Sequence, residues 1–145
     1  MPGCLALMLL LTPFLVVSAH AQQSERFGVY EIHHSVVNTT FLAPQVSERH
    51  GIVRGKNRAI LNLAVREHLA NGTSVARSAK VEGRTWDLFQ NQFFEFKEIR
   101  EGEAIYYIAE FSFINEEWRF FEMDFRPDGA EQSYTFKFKH QLYIN

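Results

Sequence analysis

From Ser133 to Tyr143 the chain alternates without a break. Tyr134, Phe136, Phe138, His140 and Leu142 fall on one side, and Thr135, Lys137, Lys139 and Gln141 on the other. A period of two is the spacing of a β-strand with one buried face, and a helix cannot sort these residues that way. The pattern recurs at Arg26 to Val37, Ala59 to Glu67, Val75 to Trp86, Phe93 to Arg100, Ala104 to Phe113 and Trp118 to Arg126. Turn chemistry separates the runs. Asn71-Gly72 is a hairpin signal, because both central residues of a type I′ turn need positive φ. Gln90-Asn91, Glu101-Gly102, Asn115-Glu116 and Pro127-Asp128-Gly129 divide the later runs, and Gly83 marks a bulge within its own. One segment departs from the pattern. Pro44 stands at a first helical position and Gly51 at a C-terminal cap, so Pro44 to His50 reads as two turns of helix between two strands.

About seven strands in hairpin succession with one short helix predict an all-β, immunoglobulin-like antiparallel β-sandwich. A small closed β-barrel with an interior cavity is the alternative. The helix-containing connection fits a crossover between sheets better than an up-and-down meander. The lysines of the last run suit an open sheet edge, which a closed barrel lacks.

The first 21 residues read as a cleaved signal peptide. Leu5 to Val17 form an apolar core, and Ala19-His20-Ala21 supplies small residues around the cut. No Lys or Arg precedes the core, and the run is shorter than the ~20 residues of a membrane span. The expected product is one domain over residues 22–145, periplasmic and without a transmembrane segment. Cys4, the only cysteine, precedes the apolar run and would leave with the leader. Disulfides, a thiolate nucleophile and a cysteine zinc site are thereby excluded from the exported chain. Its stability must come from packing. The sequence has 14 Phe, 5 Tyr and 2 Trp, all but Phe14 beyond the leader, so the core is expected to be aromatic.

The net charge of −2 hides an asymmetry. Between Gln45 and Arg66 stand Arg49, Arg54, Lys56, Arg58 and Arg66 against Glu48 alone, whereas eleven acidic residues outnumber four basic ones between Glu95 and Glu131. Either the two segments face each other, or the molecule presents a bipolar surface to a partner.

Motifs for chemistry are sparse. Gly51 to Asn57 superficially suggests a phosphate-binding loop, but the glycine spacing is short by one, Asn57 replaces the magnesium-binding hydroxyl, and a strand follows where a helix is required. His33 and His34 are neighbours on a strand and point to opposite faces, so they cannot chelate one ion together. No Gly-x-Ser-x-Gly elbow and no nucleophile–base–orienter set is present. No enzyme activity, cofactor or metal is expected, and no nucleic-acid partner. What remains is the turn of Arg54, Lys56, Asn57 and Arg58 around Gly55, a candidate binding site for a carboxylate, phosphate or acidic protein patch.

Three stretches taken together, Asn38 to Leu42, Gly51 to Asn62 and Glu98 to Tyr107, resemble the bacterial domain-of-unknown-function family 4426. The resemblance implies a small exported protein of Gram-negative proteobacteria, and it carries no catalytic residue. The functional expectation is a non-catalytic periplasmic binding or accessory module that engages a periplasmic or envelope protein through a sandwich surface. The alternative is a carrier of a small apolar or amphipathic ligand in a barrel-like interior.

Overall fold

The structure, a computed structural model, describes residues 22–145; the expected leader over 1–21 lies outside the described residues. The strands are β1 (Gln23–Phe27), β2 (Tyr30–Asn38), β3 (Arg58–His68), β4 (Ser74–Ala76), β5 (Ala79–Trp86), β6 (Asn91–Phe93), β7 (Lys97–Glu101), β8 (Ala104–Ser112), β9 (Trp118–Pro127) and β10 (Tyr134–Gln141). Between β2 and β3 come a 3-10 turn (Thr39–Phe41) and helix α1 (Pro44–His50). Gly51 caps the helix at φ 65°, as the sequence predicts.

All pairing is antiparallel. One sheet runs β1-β2-β3-β8-β7, with β4 also on β3; the other runs β10-β9-β5-β6. With β2 as strand A, the order is A-B-E-D in one sheet and G-F-C in the other, the immunoglobulin arrangement. Both sheets end in open edges, so the fold is the sandwich and not a closed barrel.

Three expected runs differ in detail. Arg26 to Val37 is a hairpin, since Gly28 at φ 61° turns β1 back so that Phe27 pairs with Tyr30. Val75 to Trp86 and Phe93 to Arg100 each divide where the chain leaves one sheet for the other, giving β4 then β5 and β6 then β7. Gly83 is no bulge. It stays in register with Met123, and a Cβ there would lie 2.8 Å from the Glu122 carbonyl oxygen.

The inward positions meet in one aromatic core. Ile32, Leu61, Leu63, Val65 and Phe111 from the first sheet pack on Phe121, Met123, Phe125 and Phe136 from the second. Edge-to-face contacts of Phe111 with Phe121 (5.6 Å) and Phe27 with Phe125 (5.5 Å) join the layers. Tyr107 fixes the first crossover: its hydroxyl accepts the Ala79 amide at 2.8 Å and donates to Glu98 at 2.9 Å. Burial first, then the Glu98 carboxylate, pushes that hydroxyl's pKa up to about 12, so it stays protonated as a donor.

Candidate functional site

The basic turn sits at one end of the sandwich, where β3 begins and β8 ends. Two of its cations are engaged by the fold. Arg54 donates to the carbonyl oxygens of Thr39 (3.3 Å) and Thr40 (3.1 Å). Arg58 donates to Val53 O at 3.1 Å and pairs with Glu110 at 3.4 Å. Thr39, fully buried, receives the Gly55 amide on its hydroxyl at 3.0 Å, which fastens the turn to the 3-10 segment. Asn57 and Lys56 are exposed, and the Asn57 carbonyl accepts the Phe113 amide at 2.9 Å. Part of the basic segment therefore faces the acidic one: Arg58 meets Glu110, and Arg49 and His50 meet Glu101.

Past Phe113 the same end becomes apolar. Ile114, Trp118 and Phe120 are exposed, and Leu88 and Phe89, in the loop joining β5 to β6, are each 91% exposed. Together they wall a groove of about 570 Å³, with Lys139 beside it. The Lys139 ammonium lies 5.0 Å over the Trp118 ring, and Trp86 stacks on Phe120 at 5.7 Å.

The loop carrying Leu88 and Phe89 is held from below. Asp87 accepts the amides of Phe89 (2.7 Å) and Gln90 (2.8 Å), an Asx turn that sets its tip. Asp87 lies 3.7 Å from the guanidinium of Arg119, a side chain only 1% exposed. Arg119 alternates in phase with Phe121 and so points into the sandwich. It donates to Ser112 O at 2.6 Å, lies 3.2 Å from Glu117 and faces the Phe111 ring at 5.5 Å. Burial alone would raise the Asp87 pKa, but the two amides, Gln90 and the Arg119 charge hold it below its ordinary value. Glu117 goes the other way, because desolvation outweighs Arg119. One buried cation thus ties the β5–β6 loop to the β8–β9 loop. The β8–β9 loop is fastened again where Glu116 N donates to Leu142 O at 2.7 Å.

The sequence reading places attention on the charges of this end and misses its apolar half. Arg119 was legible only through its phase with Phe121, Met123 and Phe125. His33 and His34 diverge as expected. His33 lies outside, 3.5 Å from Glu31, whose other oxygen is 2.6 Å from His68; His34 is buried. Hydrogen bonds from His68, then Ser24, hold the Glu31 pKa low. Among the described residues no three His, Cys, Asp or Glu side chains form a group that could hold a metal ion.

A model for a family described as a domain of unknown function, DUF4426, matches residues 24–145. The chain is similar to the crystal structure of a DUF4426 protein from Pseudomonas aeruginosa PAO1, at 31% identity and a TM-score of 0.73, covering 86% of this chain and 96% of that one. It shares its fold with FetP of uropathogenic Escherichia coli strain F11, recombinantly expressed in the periplasm of E. coli BL21(DE3), at 10% identity and a TM-score of 0.60 over 86% of this chain and 95% of that one. A copper-bound variant of FetP gives 10% identity and a TM-score of 0.59, over 86% and 97% of the two chains. No curated protein matches the chain.

Proposed function

Because the chain belongs to the DUF4426 family, whose name assigns no activity, we propose its role from its surface: a non-catalytic binding or accessory module of the periplasm or envelope. It engages another protein through the loop end of the sandwich. The observation that carries this reading is the pair Leu88 and Phe89, almost wholly exposed yet fixed by the Asp87 turn and the buried Arg119. Large apolar side chains displayed in water on an anchored backbone turn are characteristic of an interaction site. The groove is concave, which suits inserted side chains better than a lipid surface. Of the charged side chains lining it, Asp87 and Glu117 are turned to the buried Arg119 and Lys139 is cationic beside the groove, so the partner segment is apolar with an acidic flank. A leader-like start supports the location. Copper belongs to the FetP variant; this reading rests on the groove and takes no metal.

The test is Leu88→Ser with Phe89→Ser. Cross-linking in intact cells should identify a partner that binds the purified wild type saturably and loses the double variant, with the melt unchanged. Equal binding of both proteins would overturn the assignment, and so would loss of vesicle co-sedimentation in place of protein binding.

A further inference from the structure

A second concavity lies where the two sheets part along the edge formed by β2 and β10, and it shares no residue with the apolar groove. Its volume is about 380 Å³, within the range of small-molecule sites. His34, Val36 and Asn38 of β2 face Phe138, His140 and Leu142 across it. Its lining contains no Lys, Arg, Asp or Glu side chain. A charged ligand would give up its hydration there with no opposite side-chain charge to replace it.

His34 is the unusual member. It is 3% exposed, stacked on Phe138 at 4.3 Å and close to Phe136 at 5.3 Å. Its contacts are ring contacts, and its nitrogens are not among the buried side-chain atoms left without a partner among the described residues. The ring lines the cavity, so the imidazole edge is placed to meet what enters. Aromatic faces from Phe138, Phe41 and Tyr143 flank the space, and the rim is polar but uncharged in its amides: Gln23, Asn38, which donates to Tyr143 O at 2.7 Å, and Gln141, which donates to Glu116 O at 2.9 Å. Flat walls and an uncharged polar rim select for a flat, uncharged molecule with polar edges.

We propose that this cleft binds a small, uncharged, planar ligand, such as an aromatic amide or a heteroaromatic ring, hydrogen-bonded to His34. The imidazole is a better anchor for such a ligand than for a metal ion, because His140 is the one other imidazole in the lining and no carboxylate or thiolate side chain joins the two to complete a coordination sphere.

Benzamide and benzoate are matched probes, differing in charge at the polar group. In the protein expressed from its full-length gene, benzamide should shift the His34 ring signals in NMR saturably, with benzoate at least about tenfold weaker. Val36→Trp should fill the cleft and abolish the shift. His34→Phe, which keeps the stacking, should weaken benzamide about tenfold, the equivalent of one hydrogen bond. A cooperative melt of each variant confirms folding; should Val36→Trp fail to fold, His34→Phe and the benzoate comparison decide. Unmoved His34 signals, equal binding of the two probes, or binding indifferent to His34→Phe would overturn the proposal. So would stoichiometric uptake of zinc or copper(I) that His34→Phe removes, since the cleft would then be a metal site.

Discussion

Arg119 and His34 both occupy strand positions that point into an apolar sandwich, and each carries a polar group the core must accommodate. Arg119 does so by ion pairing. Removing one member of a buried ionic set strands the others without compensation, typically at 3–5 kcal/mol. Arg119→Ala should therefore lower stability by about that much in chemical denaturation. It should also loosen the loop of Leu88 and Phe89, read as faster amide exchange at Phe89 and Gln90. His34 is accommodated by staying neutral. Burial, then the charge of His33, lowers its pKa from 6.5 to about 4. The unfolded chain therefore takes up this proton first as pH falls. The stability due to the neutral ring is complete above about pH 6.5 and declines steadily toward pH 4. Between pH 7 and 5 the loss should be on the order of 2 kcal/mol, a window above most carboxylate titration. Comparing wild type with His34→Phe across that window isolates it: parallel stability curves would refute the buried, neutral imidazole. Strand phase makes both side chains legible as inward, but not their partners, because Asp87 and Phe138 come from other strands and loops.

At the scale of the element, period and turn chemistry carried most of the information. The β10 alternation, the helix after Pro44 and the reversals at Gly102 and Gly129 are where the residues put them; the chain also reverses at Gly72, but not as a type I′ turn, since Gly72 is at φ 85° and Asn71 is not at positive φ. The misread places share a physical cause. Alternation records which face a side chain takes but not which sheet the strand has joined, so β4 runs into β5 and β6 into β7 without an audible break. The hairpin at Gly28 is hidden likewise, since Phe27 and Tyr30 suit either a continuous strand or a paired turn. Gly83 illustrates the converse, a glycine chosen for closeness and not for backbone freedom. Gly83→Ala would press a methyl group against the Glu122 carbonyl and the Met123 side chain. It should destabilise by about 1–3 kcal/mol, as overpacking does, with the fold retained. A neutral outcome in urea titration would mean that β5 and β9 separate more easily than their register implies.

Taken whole, the molecule pairs its basic and acidic segments across the helix, β3, β7 and β8, which separates structural from displayed charge. Lys56→Glu should leave the melt within about 0.5 kcal/mol, as ordinary surface changes do. Arg58→Glu should destabilise by about 1–3 kcal/mol, because it removes the bond to Val53 O and sets two carboxylates together at Glu110. Equal melts for the two variants would show that the turn is not held by its arginine. Neither the groove nor the cleft was visible at this scale in the sequence, since each is assembled from segments far apart in the chain. The order of the strands in the sheets also has a consequence in time. The chain enters the first sheet with β1 to β4, the second with β5 and β6, returns for β7 and β8, and closes with β9 and β10. A chain emerging from its amino end has β3 waiting for β8 and β5 waiting for β9, so the paired faces of both layers stay wet until the last third has arrived. Folding is therefore an event of the finished polypeptide, and a chain released after β7 has no complete layer to fold around.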